Sequence, residues 1–172
     1  EKGRHETIVT MIRNPSWRVV SAKYHDCHRI TGPDTRDPLA DTKRCEDLSI
    51  LEWSNLSFVR NCQVKMLLGL YCASDVPPED LSLERARQNL HDLDYFGITE
   101  YWRQSIQLLH CQFGGDMRSS ELENIHEGLY FHEAIDPPIL EAIKATDELD
   151  WQLYEYAVDL MGRRLACLQC DT

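Results

Sequence analysis

A short apolar run that ends in arginine, turns through Asn-Pro and continues at helical spacing limits what this chain can fold into. It occupies residues 8–25 and reads Ile-Val-Thr-Met-Ile-Arg-Asn-Pro-Ser-Trp-Arg-Val-Val-Ser-Ala-Lys-Tyr-His. Ile8, Val9, Met11 and Ile12 predict a strand buried on both faces. Asn14 suits a helix N-cap, and Pro15 suits the first helical position, where its missing N–H costs nothing. Trp17, Val20 and Tyr24 then recur at helical spacing, with Arg18, Ser21 and His25 as an adjoining polar stripe. A strand feeding a helix in this way predicts an α/β architecture. Arg13 falls at the carboxyl end of the strand and Ser21 two turns along the helix. In open α/β sheets that edge is where anionic ligands bind.

Further along, residues 27–48 hold Gly32, Pro33 and Pro38 among scattered charges and predict a long surface connection. Residues 50–70 are mixed and predict short helices. Ser82 is placed to cap a helix whose Leu83, Ala86, Leu90 and Leu93 share one face. Tyr95-Phe96-Gly97-Ile98 predicts a short buried strand, with Gly97 allowing close backbone packing. Thr99 is read as the cap of the next helix, with Trp102, Ile106, Leu109 and Phe113 at core spacing. Gly114-Gly115 ends that helix, and 116–136 is polar with little periodicity. Asp136-Pro137 opens the last helical region, whose Leu149, Leu153, Tyr156, Ala157, Leu160 and Met161 form an apolar stripe.

At 172 residues the whole of 1–172 is expected to form a single domain, with enough apolar content for a real core. No run of eighteen apolar residues occurs. The net charge of −11 is unevenly spread: residues 1–50 hold nine Lys/Arg and eight Asp/Glu, and the remainder hold nine and twenty-one. So acidic a chain is not expected to bind nucleic acid or another polyanion non-specifically. An anionic substrate would need a local basic cleft working against the global field. Seven cysteines permit disulfides, and Asn55-Leu56-Ser57 is a permissible glycosylation sequon; both suit a secretory-pathway lumen. Cys45, Cys62 and Cys72 lie where a staple would help most. No metal site is expected: His25-x-Cys27-His28 has no second cluster of matching spacing, and a lone Cys167-x-x-Cys170 supplies two ligands where structural zinc needs four.

Four segments carry a resemblance. Arg13-Asn14-Pro15-Ser16-Trp17-Arg18-Val19-Val20-Ser21 resembles the R-[DN]-P-x-x-R-x-x-S segment that binds the 3′-phosphate in sulfotransferases using 3′-phosphoadenylyl sulfate (PAPS). Asn61-Cys62-Gln63-Val64-Lys65-Met66-Leu67, the run Tyr95 to Arg103, and Leu149 to Ala157 resemble, in order, three further segments of the heparan sulfate 6-O-sulfotransferases. The resemblance implies a P-loop NTPase-like sulfotransferase fold, of which this chain would be the helix-rich C-terminal part of a parallel-sheet domain, cut from something longer. Such a part should expose apolar sheet edge.

By the same resemblance, Arg13 and Ser21 bind the donor's 3′-phosphate, His25 contacts the acceptor, and PAPS is the sulfuryl donor. A guanidinium pairs with two phosphate oxygens at once, which makes the assignment chemically sound. Arg18 is expected to support the helix. Arg118 is either a further nucleotide contact or part of a solvated loop. No G-x-x-x-x-G-K-[ST] cradle and no matched catalytic histidine occurs in residues 1–172, so no catalytic residue is assigned within them. The implied acceptor is a heparan-type glycan, with a tyrosyl protein or a purely binding role as alternatives. The implied setting is the Golgi lumen, in a membrane-anchored parent.

Overall fold

The computed structural model describes residues 7–30, 47–123 and 135–167 and, within 25–30, the backbone only. Strand β1 (Val9–Ile12) pairs in parallel with β2 (Tyr95–Ile98), Val9 standing opposite Tyr95 and Ile12 opposite Ile98. Among the described residues the sheet has these two strands. Helix α1 (Pro15–Ile30) leaves β1 as expected: Asn14 Oδ1 accepts the Trp17 N–H at 3.3 Å, and the Asn14 carbonyl accepts that of Arg18 at 2.9 Å. Two short helices, α2 (Ile50–Ser54) and α3 (Cys62–Leu67), follow. Ser82 caps α4 (Leu83–Asp92) by accepting the Arg85 N–H. Beyond β2 come α5 (Trp102–Phe113), the one-turn α6 (Ser119–Leu122), α7 (Pro137–Thr146) and α8 (Glu148–Cys167). The molecule is helix-rich around a small parallel sheet, which is compatible with an α/β fold.

Two apolar clusters hold these elements. One surrounds β2: Phe96 and Ile98 are fully buried against Leu90 of α4, Leu108 of α5, and Leu153 and Ala157 of α8. The other joins Val19 and Val20 of α1 to Trp53 of α2 and Ile143 of α7. Each Val, Leu, Ile or Phe among them contributes about 1.5–3 kcal/mol by leaving water. Trp53 also satisfies its one donor while buried, its indole N–H reaching the Val19 carbonyl at 3.2 Å. Cys62 is disulfide-bonded to Cys72, tying α3 to the loop after it.

Three expectations are corrected. First, β1 is not buried on both faces: Ile8, Val9 and Met11 are 60%, 56% and 42% exposed, while Ile12 is buried. β2 covers one edge of the strand, and the residues of β1 line an open apolar cavity of about 480 Å³ with Met66, Leu67 and Leu93. The exposed apolar sheet edge was expected on other grounds, and it is present. Second, Thr99 does not cap α5. It begins a 3₁₀ turn (Thr99–Tyr101) and spends its hydroxyl on the Ile12 carbonyl at 3.3 Å, bridging the sheet instead. Third, Leu108 rather than Phe113 completes the buried face of α5. Phe113 sits on the last turn, where Gly114, at φ 80°, takes the chain away from the core, and it stays half exposed.

Candidate functional site

Arg13 is the first residue past the β1–β2 ladder, and its side chain is about a quarter exposed (26%). Gln63 on α3 holds its backbone from both sides: Oε1 accepts the Arg13 N–H at 2.8 Å, and Nε2 donates to the Arg13 carbonyl at 2.9 Å. Glu100 approaches from the turn after β2. Its Oε2 accepts the Asn14 N–H at 3.0 Å, and its Oε1 stands 4.0 Å from Arg13 Nε. The Tyr154 hydroxyl of α8 donates to the same carboxylate at 3.4 Å. Burial lowers the Arg13 pKa and Glu100 opposes that shift; a guanidinium starts so high that it stays charged at neutral pH.

The α3 helix that carries Gln63 is capped from elsewhere. Asn61, at its N-cap, has left-handed backbone (φ 51°) and makes no side-chain cap, leaving the first N–H groups of the helix needing acceptors. Asp150, fully buried in the first turn of α8, accepts the Gln63 N–H at 2.9 Å and the Val64 N–H at 2.8 Å. Asp147 accepts the N–H of Asn61. Arg18 of α1 lies against both carboxylates, 3.3 Å from Asp147 and 3.6 Å from Asp150, and donates to the Val59 carbonyl at 2.6 Å. Burial pushes the Asp150 carboxyl up to about 7, with the neighbouring Asp147 carboxylate adding to the shift; burial raises Asp147 as well. Arg18 thus joins α1 to α8 and α3.

Ser21 is half-buried on α1, two turns beyond Arg13, and position 25 follows one turn later. The His25 side chain lies outside what the structure describes. Arg118 is exposed; its N–H donates to Glu121 Oε2 at 2.8 Å, closing the start of α6. Most of the polar segment after it lies outside the described residues, as do Cys45 and Cys170, while Cys167 is a free, exposed thiol. Among the described residues no three His, Cys, Asp or Glu side chains gather as a metal-ion group, and no helix is long and apolar enough to cross a membrane.

Gln63, Glu100 and Asp150 were not singled out by residue reasoning. The available signal was their position inside the three downstream segments, 61–67, 95–103 and 149–157. Each segment delivers one polar side chain to the segment that bears Arg13 and Arg18, across 50 to 132 residues of chain.

What the fold and this cluster define is a helix-rich protein, compatible with an α/β fold, that presents a firmly held arginine at the carboxyl end of a parallel strand. The chain is similar along most of its length to heparan-sulfate 6-O-sulfotransferases. It is 25% identical over 193 aligned positions to heparan-sulfate 6-O-sulfotransferase 1-B of Danio rerio, covering 95% of this chain and 46% of that protein. It is 26% identical to heparan-sulfate 6-O-sulfotransferase 1 of Homo sapiens, covering 91% of this chain and 43% of the relative. A shorter stretch, 63% of this chain and 28% of the relative, is 30% identical to heparan-sulfate 6-O-sulfotransferase 2 of Gallus gallus. The chain spans less than half the length of these curated relatives. No protein-family model matches it.

Proposed function

We propose that this chain is the 3′-phosphate-binding part of a sulfotransferase with a P-loop NTPase-like fold. The enzyme moves a sulfuryl group from PAPS to a hydroxyl of a heparan-type glycan. Arg13 takes the donor's 3′-phosphate through its planar fork of donors, Ser21 adds a hydroxyl, and His25 faces the acceptor. One observation carries the reading. The four segments that resemble the family assemble in space around one strand end, and the polar residues joining them come from inside those segments: Gln63 and Glu100 to Arg13 and Asn14, and Asp150 to Arg18 and to the backbone of Gln63. A resemblance confined to packing residues would not concentrate its polar contacts there.

The charge and position of Arg13 support the reading. Arg13 is a partly exposed cation at a strand's carboxyl end, and Ser21 follows on the next helix. The chain's role is to bind and orient. The cradle for the 5′-phosphosulfate and the base that removes the hydroxyl proton belong to residues other than those assigned here. The Golgi lumen is the setting that fits the glycan acceptor, in a protein anchored to the membrane.

The test is binding of 3′-phosphoadenosine 5′-phosphate to the full-length protein, with Arg13→Ala lowering affinity at least about tenfold, the loss of a charge-assisted phosphate contact. Unchanged affinity overturns the assignment. Transfer of labelled sulfate to a heparan-type polysaccharide supports the acceptor. Transfer to tyrosine in an acidic peptide replaces it, and no transfer from a protein that still binds the nucleotide leaves a binding module. The charge of −11 makes this arm decisive, because a polyanionic acceptor has to approach an acidic molecule.

A further inference from the structure

We infer that Gln63 is a positioning residue for the 3′-phosphate site, acting through the backbone of Arg13; the inference rests on the reading that Arg13 binds that phosphate. Among the described residues the β1–β2 ladder ends at Ile12 and Ile98, one position before Arg13. Gln63 supplies what a neighbouring strand would. One primary amide accepts the Arg13 N–H at 2.8 Å and donates to the Arg13 carbonyl at 2.9 Å, on the edge of β1 that faces away from β2. Few side chains can do this: a carboxylate has no donor, an ammonium no acceptor, and asparagine is one methylene shorter.

Gln63 is itself fixed. It is 7% exposed, and its own N–H is bound to the buried Asp150 carboxylate at 2.9 Å. The path Asp150 to Gln63 to Arg13 ties the strand end to α8, and the Arg13 side chain leaves a backbone held at both its N–H and its carbonyl. Displacing a binding group by about 1 Å can cost up to about a hundredfold, so the clamp acts on affinity without touching ligand.

The experiment compares 3′-phosphoadenosine 5′-phosphate with adenosine 5′-monophosphate by calorimetry on the full-length protein. The variants are Gln63→Met, which keeps length and removes both bonds, and Gln63→Glu, which keeps the acceptor and removes the donor. The ratio of the two affinities isolates the 3′-phosphate. Gln63→Met is expected to reduce that ratio about tenfold with binding of the monophosphate unchanged, and Gln63→Glu to fall between it and wild type. In an Arg13→Ala background, Gln63→Met should change the ratio no further. An unchanged ratio in both Gln63 variants, with Arg13→Ala abolishing the preference, overturns the positioning role and leaves the donor reading intact. Equal loss for both nucleotides also overturns it, since Gln63 would then be merely structural. An unchanged ratio in Arg13→Ala removes the donor reading and this inference together. Should Gln63→Met fail to fold, Gln63→Glu decides.

Discussion

The Asp150 carboxylate, wholly buried at the start of α8, lies 3.6 Å from the Arg18 guanidinium of α1 and caps α3 through the N–H groups of Gln63 and Val64. One pair of residues thereby ties three helices together, and Gln63 links it to the strand end that carries Arg13. Its ionisation has a consequence for stability. Unfolded, Asp150 titrates near 3.8; folded, burial and then Asp147 push it up to about 7. Between those values the native state holds a proton that the unfolded state has released. Stability therefore falls as pH rises from about 4 to about 7, and levels off above that. Urea denaturation from pH 5 to 8 should show this decline, and Asp150→Asn should flatten it. The carboxylates with lowered pKa, the exposed Asp92 and the half-buried Glu121, act in the opposite sense and only below the ordinary carboxylate range.

Arg18→Ala leaves Asp147 and Asp150 buried without their cation. Breaking a buried pair in this way costs about 3–5 kcal/mol, and the penalty should shrink toward pH 5, where Asp150 takes up a proton. Thermal melts of wild type and variant at pH 5 and pH 8 measure both effects. An equal loss at the two pH values would refute the account.

At Gly97 the backbone of β2 passes so close to its neighbours that an added Cβ would stand 2.7 Å from Met11 Sδ, 2.7 Å from the Tyr95 hydroxyl and 2.9 Å from Ser105 Cβ. Ser105 cannot easily retreat, because its hydroxyl accepts the Ile98 N–H at 2.7 Å. Gly97→Ala should destabilise by about 1–3 kcal/mol through overpacking. The reading is a lower urea midpoint at unchanged slope.

The Cys62–Cys72 bond closes a loop of sequence separation 10. On the chain-entropy model such a closure stabilises by about 2–3 kcal/mol. Replacing both cysteines by alanine should lower stability by that amount, measured by chemical denaturation beside wild type under non-reducing conditions.

Asn55 is exposed at the end of α2, where its side-chain amide donates to the Leu51 carbonyl at 2.8 Å, and Ser57 completes the sequon. If the protein matures in a secretory lumen, material made in eukaryotic cells should carry a glycan there. Treatment with peptide N-glycosidase should then increase gel mobility, and Asn55→Gln should remove the difference.

Much of the local structure was legible from residues alone. Asn14-Pro15 starts α1, Ser82 caps α4, Gly114 ends α5, and the alternation of apolar positions places α8, because caps, turns and periodicity are short-range physics. Tyr95 to Ile98 reads as a strand for the same reason, and Gly97 reads as a close approach.

What only the tertiary structure decided is which polar groups meet. No local pattern says that Gln63 clamps Arg13, that Arg18 turns inward to Asp147 and Asp150, or that Thr99 spends its hydroxyl on Ile12 instead of a helix cap. These choices depend on where buried donors and acceptors fall once distant segments pack, and a buried polar group must take whatever partner the fold brings. The apolar run at 8–12 shows the same limit from the other side. The sequence by itself determined that it is a strand ending in arginine; packing determined that β2 covers one edge of it and leaves Val9 and Met11 at the surface.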